Sequence, residues 1–349
     1  MEYTWPDVLT GLIAGDHLSA EVAAWAMSEI LAGNATDVQI AGFLVALRAK
    51  GETVEEIAGL AESMRDRATP IPLGTEAVDV VGSGGDRANT VNVSTMAAVV
   101  AAAAGVPVAK HGNRAASSAC GAADVLEALG VALDVPPEDQ PAVLAEAGIV
   151  FLFAPLYHPS LRHAAAARGQ LGIQTPFNFL GPLANPARPA AQAVGIANPR
   201  VAALVAGVLA RRGTRGLVFH GDDGLDELTT TTTSDIWLIR DGEIAVIALD
   251  PAELGFAPAT PGDLVGGDVA RNADIARRTL AGERGPVRDI VVLNAAAALL
   301  AFHGPDLGRE PAEQLAEHVA TASGAIDSGA AAGVLHTWAA ATQKLARGA

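Results

Sequence analysis

The hydrophobic pattern of the chain is helical from its start to Pro72. Two stretches carry apolar residues three or four positions apart, the spacing of one helix face: Ala23, Ala24, Met27, Ile30 and Leu31, then Val54, Ile57, Leu60, Ala61 and Met64. Thr36 and Thr53 are each followed three residues later by Gln or Glu, the capping-box pattern that begins a helix. Pro70-Ile71-Pro72 then ends the pattern. Residues 1–72 are therefore predicted to form a small, all-helical domain.

The pattern changes after residue 76, where short apolar runs alternate with helix-like stretches. The runs of strand length cover residues 77–81, 106–109, 149–153, 192–196 and 217–219. The helix-like stretches cover residues 96–104, 123–129, 137–147, 161–171 and 199–212. Alternation of this kind is typical of a largely parallel sheet. Residues 73–349 are therefore predicted to form a larger α/β domain around a central, mostly parallel sheet.

One part of the larger domain breaks the alternation. Two apolar runs, 236–239 and 244–247, flank Asp241-Gly242, which is a strong hairpin signal. A run of five threonines, 229–233, precedes them. We interpret this run as a polar strand or loop and assign it no chemistry. From residue 268 onward the pattern returns to helices separated by glycines.

Length and composition agree with two domains. The chain has 349 residues, and a typical domain has about 150. No uncharged apolar run of about 18 residues with membrane flanks occurs, and no basic region precedes an apolar core at the N-terminus. The one cysteine, Cys120, excludes an internal disulfide framework and a Cys-rich metal site, and we interpret it as a small buried residue. We expect a cytoplasmic protein without a membrane span.

The charge balance of the chain is strongly acidic. Its net charge is −16, from 39 acidic against 23 basic residues. Nucleic-acid binding requires a basic face, so this balance argues against it. In such a chain, a site for an anionic substrate needs local cations or a metal ion. Lys110, Arg114 and Arg168 therefore become candidate substrate contacts.

Two loops suited to phosphate follow two of the predicted strands. The first has three glycines in four residues, Gly82-Ser83-Gly84-Gly85, and leads into a helix, a layout that lets backbone N–H groups surround phosphate. It is not a dinucleotide fingerprint, because Arg87 stands where the third glycine belongs. A tight turn without a ligand remains the alternative. The second loop, residues 110–118, carries two cations, an amide and two hydroxyls at a strand end. Together they indicate a ligand with two anionic groups.

Paired carboxylates follow a third strand. Asp226 and Glu227 come shortly after residues 217–219, and carboxylates at a strand end suit Mg²⁺. Because Asp222 and Asp223 are close by, spacing alone favours a solvated acidic loop.

Four motifs carry a resemblance to a known family. They are Gly82-Ser83-Gly84-Gly85-Asp86 with residues 89–95, Lys110-His111-Gly112-Asn113-Arg114, residues 171–186 with Leu180-Gly181-Pro182-Leu183-Ala184-Asn185-Pro186, and Gly224-Leu225-Asp226-Glu227. In this order they resemble the anthranilate phosphoribosyltransferases over nearly the whole chain. The resemblance implies an α/β domain like that of pyrimidine nucleoside phosphorylases, and a helical domain to which a segment near 157–183 returns.

The resemblance also implies an activity. Members transfer a phosphoribosyl group from phosphoribosyl pyrophosphate to the amine of anthranilate in tryptophan biosynthesis, with Mg²⁺ at two ions per subunit. They are homodimers joined through the helical domain. Two alternatives share the fold, a pyrimidine nucleoside phosphorylase and a nucleic-acid-binding paralogue without enzyme activity.

The resemblance implies roles for individual residues, none of them as an acid or base. The residues that the resemblance predicts to bind phosphoribosyl pyrophosphate are Gly82, Gly85, Asp86, Thr90, Asn92, Val93, Ser94, Thr95, Lys110, His111, Gly112, Asn113, Arg114, Ala115, Ala116, Ser117, Ser118 and Ala122. The residues predicted in the same way to bind anthranilate are Gly82, Asn113, His158 and Arg168, and those predicted to bind Mg²⁺ are Ser94, Asp226 and Glu227. The alternative to a binding role is that Arg168 is an ordinary arginine on the surface of a helix. For His158 the alternative is a residue at the start of a helix. The chain departs from the family at Ala122, often serine, and at Gln174, arginine in many members.

Overall fold

The computed structural model describes residues 3–115 and 119–346. Four helices come first: α1 Trp5–Ala14, α2 Ala20–Ala32, α3 Asp37–Lys50 and α4 Val54–Asp66. The next elements are β1 Val78–Gly82, α5 Val93–Ala103, β2 Val108–Gly112, α6 Ala122–Ala128, α7 Gln140–Ala147, β3 Ile149–Phe153, α8 Ala154–Tyr157, α9 Arg162–Leu171, β4 Ala191–Gly195, α10 Pro199–Arg211 and β5 Arg215–Gly221. The last are β6 Ser234–Arg240, β7 Glu243–Leu249, α11 Val269–Leu280, α12 Pro286–His303, α13 Pro311–Asp327 and α14 Ala330–Leu345.

The sheet has seven strands in the order β3-β2-β1-β4-β5-β6-β7. Strands β1 to β5 pair in parallel, while β6 pairs antiparallel with both β5 and β7. The predicted fold, a helical domain with a mostly parallel α/β domain, is confirmed. The predicted hairpin is confirmed too: Arg240 pairs with Glu243, and Asp241 and Gly242 between them have φ of 52° and 82°. Positive φ at both central residues is the tight turn whose twist matches the flanking strands.

Helices α3 and α4 of the bundle begin with the predicted capping boxes. The side chains of Thr36 and Thr53 accept hydrogen bonds from backbone N–H groups three residues on, and the side-chain oxygens of Gln39 and Glu56 accept in turn from the Thr backbone N–H groups at 2.9 Å. Apolar residues of the bundle form one cluster with Ala164 and Ala167 of α9 and with residues 177–184. The same cluster includes α10 and one face of the sheet, so the bundle is packed onto the α/β domain rather than tethered to it.

The opposite face of the sheet is covered by α5 and α12 and forms a second cluster. By length and composition alone α12 could cross a membrane, but 72% of it is buried inside the fold, as in a core helix. Cys120 is also buried in this cluster, as predicted.

One boundary shift affects the site. The predicted strand at 106–109 is β2 at Val108–Gly112, because Lys110, His111 and Gly112 pair with Phe151, Leu152 and Phe153 of β3. Lys110 and His111 therefore lie on a strand and not in a loop, and their side chains point from a rigid sheet. Helix α5 likewise begins at Val93, three residues before the predicted start.

Candidate active site

A cavity of about 390 Å³ lies at the carboxyl ends of β1, β2 and β5. Its lining includes these predicted site residues: Gly82, Gly85, Asp86, Thr90, Asn92, Val93, Ser94, Thr95, Lys110, His111, Gly112, Asn113, Arg114, Ala115, Ala122, Arg168, Asp226 and Glu227. Ala116, Ser117 and Ser118 lie outside the described residues. The structure does not bring His158 to this lining. Most of the predicted set, from four separate parts of the chain, therefore shares one cavity.

The glycine loop after β1 follows an unusual backbone path. Gly84 and Gly85 have φ of 67° and 88°, and Arg87 and Asn89, neither of them glycine, have φ of 60° and 52°. Left-handed residues in succession expose backbone N–H groups on one side of a loop, which forms a concave anion site. The Gly84 N–H donates to Asp226 Oδ2 at 2.6 Å. A Cβ on Gly82 would overlap that same carboxylate, so the glycine and acidic loops touch at a point that tolerates no side chain.

The first turn of α5 forms the next part of the wall. Val93, Ser94 and Thr95 line the cavity, and free N–H groups at a helix N-terminus favour anions. The hydroxyl of Thr95 and Oδ1 of Asn92 are buried and have no hydrogen-bond partner among the described residues. Buried polar atoms of this kind are normally satisfied, so they mark places where a ligand or water binds.

Three carboxylates meet beside this turn. One oxygen each of Asp86, Asp226 and Glu227 lies within 4.8 Å of the others, and Asp226 and Glu227 are only 7% and 8% exposed. Burial, followed by the negative charge of Asp86, raises the pKa of Asp226 to about 6. Burial and then Asp226 raise the pKa of Glu227 as well, and its Oε2 has no hydrogen-bond partner in the described part of the chain. Buried oxygen ligands that repel one another suit a divalent cation, so these residues fit Mg²⁺.

Lys110 lies next to the carboxylates and is 1% exposed. Its ammonium donates to the Val80 carbonyl at 2.5 Å and to Ser94 Oγ at 3.2 Å. Burial lowers the pKa of Lys110 to about 8, although the charges of Asp79, Glu227 and Asp226 oppose that shift. The cation therefore balances the acidic wall from inside the protein, in addition to any contact with a substrate.

Arg114 has a different environment from Lys110. Its guanidinium contacts Asp124 at 2.9 Å and Glu127 at 2.5 Å, and it is half exposed. Hydrogen bonds to Glu127 and Asp124 raise the pKa of Arg114 above its usual value. Of the two cations in the basic motif, Arg114 already has carboxylate partners, so its predicted role toward the donor requires it to exchange or share them.

Arg168 occupies the opposite wall, which belongs to α9. Its guanidinium carbon lies 4.8 Å above the centre of the Phe177 ring, within cation–π distance. Burial lowers the pKa of Arg168, and its guanidinium makes no ion pair or hydrogen bond with any residue that the structure describes. A half-buried guanidinium without an anion is suited to a carboxylate ligand. No role was predicted for Phe177 individually, because its proximity to Arg168 depends on how residues 171–178 fold back.

His158 has a structural environment. It is 5% exposed, its Nε2 is 2.9 Å from the Ala184 carbonyl, and its ring lies 5.1 Å from that of His111. Burial lowers the pKa of His158, so the ring is neutral at physiological pH. Its contacts with the described residues are thus packing and one hydrogen bond to the backbone, and the predicted anthranilate contact stays a prediction.

The turn that His158 contacts is held in an unusual way. Each of four successive carbonyls, 181 to 184, accepts from a side chain: His111 at 3.3 Å, Gln192 at 2.8 Å, Arg212 at 2.8 Å and His158 at 2.9 Å. This turn joins the segment that carries Arg168 and Phe177 back to β4. The Leu180–Pro186 motif thus fixes the two walls of the cavity relative to each other, a role that its composition did not reveal.

Further residues for which no individual role was predicted line the cavity, although some of them, such as Ser83 and Gly84, belong to the predicted glycine loop. The cavity is also lined by Val81, Ser83, Gly84, Arg87, Asn89, Val91, Cys120, Gly121, Gln174, Phe177 and Asn178. The threonine run proves to have a function in the acidic loop: Thr229 Oγ1 donates to Asp223 at 2.7 Å, Thr231 donates to the same carboxylate, and Thr233 donates to Asp222. Asp222 and Asp223 are exposed and bonded to threonines, while Asp226 and Glu227 are buried.

Comparisons with known proteins agree with this geometry. A family model described as the helical bundle domain of a glycosyl transferase family matches residues 6–68, and one for the a/b domain matches residues 74–332. An anthranilate phosphoribosyltransferase of Acidothermus cellulolyticus is 58% identical over 340 residues, covering 97% of this chain and 96% of the relative. That of a Nocardioides species is 57% identical over 341 residues, covering 98% and 99%.

Solved structures give the same result. The anthranilate phosphoribosyltransferase of Thermus thermophilus is 43% identical, with a TM-score of 0.89, over 97% of this chain and 99% of that one. The Saccharomyces cerevisiae enzyme in complex with PRPP and Mg is 26% identical, with a TM-score of 0.88, over 99% of both chains. The same yeast enzyme in complex with 4-fluoroanthranilate is 25% identical, with a TM-score of 0.86, over 98% of both chains. Identity and fold agree over nearly the full length, and the chain belongs to the anthranilate phosphoribosyltransferase family.

Proposed function

We propose that this chain transfers a phosphoribosyl group from phosphoribosyl pyrophosphate to the amine of anthranilate and releases pyrophosphate. One observation carries the proposal: a single cavity joins a phosphate-suited backbone loop and buried carboxylates to an arginine without an anionic partner among the described residues. The first wall fits a donor with phosphates and the second fits an aromatic acid. The yeast relative in complex with PRPP and Mg, and the complex with 4-fluoroanthranilate, support this pair of substrates.

The donor binds at the sheet edge in this proposal. The amides of the glycine loop and the first turn of α5 bind its phosphates, and residues 110–115, which line the same cavity, contact them too. Ala116, Ser117 and Ser118 keep their predicted role as donor contacts. The buried hydroxyl of Thr95 and the amide oxygen of Asn92 supply further polar contacts from within the wall. Because Lys110 belongs to β2 and Ser94 and Thr95 belong to α5, these groups need little reorganisation when charge develops on the leaving group.

Mg²⁺ belongs to the same wall. Asp226 and Glu227, with Ser94, are its proposed ligands, and Asp86 lies close enough to join them. Two ions per subunit remain our proposal. When bound, Mg²⁺ acts as a Lewis acid that neutralises charge on the pyrophosphate. The carboxylates of this chain repel one another and are buried, so cation binding also relieves an unfavourable arrangement.

The acceptor binds at the opposite wall. Arg168 takes the anthranilate carboxylate in a bidentate contact, and Asn113 and Gly82 complete the site where the two walls meet. The amine is an aromatic amine and is already nucleophilic, so no side chain is required as a base. Catalysis then consists of binding the leaving group, holding the amine in line with C1 of the ribose, and excluding water.

Anthranilate is fluorescent, so its consumption tests the proposal directly. The purified protein is mixed with anthranilate, phosphoribosyl pyrophosphate and Mg²⁺, and fluorescence is followed over time. We expect loss of the signal that depends on all three additions. Arsenolysis of thymidine is measured in parallel. Activity there, without any loss of anthranilate, would instead identify a pyrimidine nucleoside phosphorylase.

A homodimer joined through the helical bundle, in the cytoplasm, completes the proposal. Helices α1 and α3 expose large apolar side chains, with Ile13 80%, Val38 81% and Val45 42% exposed. Val38 and Val45 are seven residues apart and therefore lie on one face of α3, and exposed apolar side chains on one face favour association. Light scattering should give the mass of a dimer for the native protein and of a monomer for Val38→Glu. A native protein that is monomeric at micromolar concentration would contradict this part.

A further inference from the structure

One buried amide outside the cavity contacts the backbone of the acidic loop. Asn294 lies in α12, whose neighbouring residues from Ile290 to Ala301 are otherwise apolar and buried, and it is 3% exposed. Its Nδ2 donates to the carbonyls of Leu228 and of Ile290, both at 2.8 Å. Its Oδ1 accepts from the Leu228 N–H at 3.0 Å. A buried amide is costly unless it is hydrogen-bonded, and here the bonds lead to one particular residue.

Leu228 is the residue directly after Glu227. Both of its backbone polar groups are bonded to the same side chain, as if Asn294 were a short piece of neighbouring strand. The Leu228 side chain is itself fully buried. The backbone next to the carboxylate pair therefore has no freedom to shift or rotate without breaking two buried hydrogen bonds.

This constraint has a physical purpose in the site. One oxygen each of Asp86, Asp226 and Glu227 lies within 4.8 Å of the others, and the side chains of Asp226 and Glu227 are buried, so like charges are held close together. A loop free to move would relax by turning these carboxylates apart and into water. Holding the backbone of Leu228 opposes that relaxation before any cation arrives.

We propose that Asn294 is a positioning residue that holds Asp226 and Glu227 at the spacing required for Mg²⁺ and the pyrophosphate of the donor. The inference rests on the proposed function of the cavity. Asn294 does not line the cavity. In this inference it contributes to metal affinity through its hydrogen bonds to the Leu228 backbone. Outer partners of metal ligands typically change metal affinity by about 10–100-fold when they are removed.

The test uses Asn294→Leu, which removes all the hydrogen bonds and keeps the branching at Cγ, and Asn294→Ser, which keeps one small polar group and introduces no larger side chain. Thr342→Val is the matched control. Thr342 is also 3% exposed, lies in α14 away from the cavity lining, and bonds a backbone N–H at 3.0 Å. Each full-length variant is assayed for melting temperature, for Mn²⁺ binding by paramagnetic relaxation of water, and for the Mg²⁺ dependence of both KM values.

We expect all variants to melt below the native protein, since each loses a buried hydrogen bond. Only the Asn294 variants should weaken Mn²⁺ binding, by about 10-fold or more, and require correspondingly more Mg²⁺ for donor binding. Saturating Mg²⁺ should restore most of kcat, and the KM for anthranilate should stay unchanged. The effect of Asn294→Ser should be smaller than that of Asn294→Leu and in the same direction.

A merely structural role gives a different pattern. If Asn294→Ser, or a folded Asn294→Leu, loses melting temperature as Thr342→Val does and keeps native Mn²⁺ affinity, the inference is wrong. The proposed function is tested separately, in the native protein. It is contradicted if the native protein does not consume anthranilate in a Mg²⁺-dependent way. Native activity with unchanged Mn²⁺ binding in the Asn294 variants overturns only the role of Asn294.

Discussion

Two loops leave the same edge of the sheet and are built in opposite ways. The glycine loop, residues 83–92 between β1 and α5, has four residues in the left-handed region, at positions 84, 85, 87 and 89, and residues 84, 85 and 87–89 are exposed. The acidic loop, residues 222–233 between β5 and β6, is bonded to itself through Asp222, Asp223 and the threonines, and to α12 through Asn294.

The difference follows from what each loop is proposed to bind. A loop that binds phosphate through its backbone must leave several N–H groups free until the ligand arrives, so it has few internal hydrogen bonds, such as that from the Ala88 N–H to Asp86 Oδ1 at 3.3 Å. A loop that presents buried carboxylates must resist their repulsion, so its own polar groups are cross-linked. The two loops meet where the Gly84 N–H donates to Asp226, which fixes the open loop at one point to the rigid one.

The largest expected effect comes from removing the two carboxylate charges that the acidic loop presents to the cavity. Asp226→Asn with Glu227→Gln should reduce activity at moderate Mg²⁺ by about 100-fold or more, since metal stabilisation of a leaving group contributes several kcal/mol. The fold should survive. If the Mg²⁺ titration is unchanged in the double variant, Mg²⁺ does not bind at this loop.

The same double variant should melt at a higher temperature than the native protein without Mg²⁺, and the gain should depend on pH. Burial raises the pKa of Asp226 from 3.8 to about 6, so its ionisation costs folding free energy in full above pH 6. Below pH 6 the group becomes protonated in the folded state and the cost decreases. The gain should therefore be largest near pH 8 and shrink toward pH 5, as calorimetry can show.

The next effect compares the two cations of the basic motif. Lys110→Met should weaken phosphoribosyl pyrophosphate binding by about 10–150-fold, because hydrogen bonds to charged groups contribute about 1.5–3 kcal/mol. It should also lower the melting temperature, since the buried carboxylates lose the cation that balances them. Calorimetric titration of the donor measures the first change.

Arg114→Met is the matched control for that change. Arg114 is exposed and already paired with Asp124 and Glu127, and exposed ion pairs contribute only about 0–1 kcal/mol. A smaller loss of donor affinity and a nearly unchanged melting temperature are expected. Should Arg114→Met weaken donor binding more than Lys110→Met, the buried lysine is structural and the exposed arginine holds the phosphates.

A smaller effect is expected outside both loops, at Arg168. Arg168→Ala should raise the anthranilate KM by about tenfold, at the lower end for a hydrogen bond to a charged group, and leave the donor KM nearly unchanged. Arg168→Lys should restore only part of the loss because lysine lacks the bidentate fork. Steady-state kinetics with each substrate varied in turn measures both. A selective rise of the donor KM would place Arg168 on the phosphate side.

The smallest effect concerns stability and not activity. Burial, with a smaller contribution from His158, lowers the pKa of His111 from 6.5 to about 3. The unfolded chain therefore binds the proton first, and His111 reduces stability as pH falls from 6.5 toward 3. His111→Asn should lose less stability than the native protein on acidification, by about 1 kcal/mol near pH 5.5. Urea unfolding at pH 7 and 5.5 tests this, and equal losses would mean that His111 is protonated when folded.

Local chemistry explains why much of the fold was predictable. The capping boxes at Thr36 and Thr53 and the Asp241-Gly242 turn each depend on residues only a few positions apart. The alternation of apolar runs with helical stretches likewise reflects neighbours along the chain. The candidate loops were also found, because parallel strands bring their carboxyl ends to one edge of the sheet.

The boundaries of β2 and the role of the threonine run were not predictable in this way. Lys110 and His111 extend β2 because β3 offers partners to their backbone, and polar composition alone suggested a loop. The threonines were set aside as chemically silent, yet their hydroxyls bind Asp222 and Asp223 and leave the other two acids of the loop to the cavity.

The sequence by itself determined the fold class, the family and the motifs, since periodicity and short motifs are properties of adjacent residues. Only the tertiary structure decided which charges meet. It joined Asp86 to Asp226 and Glu227, paired Arg114 with Asp124 and Glu127, and turned His158 toward the Ala184 carbonyl. It also placed Asn294 against Leu228, 66 positions away. The physical reason is that burial and hydrogen-bond partners depend on strand order and on packing between distant segments, and a linear pattern does not contain those distances.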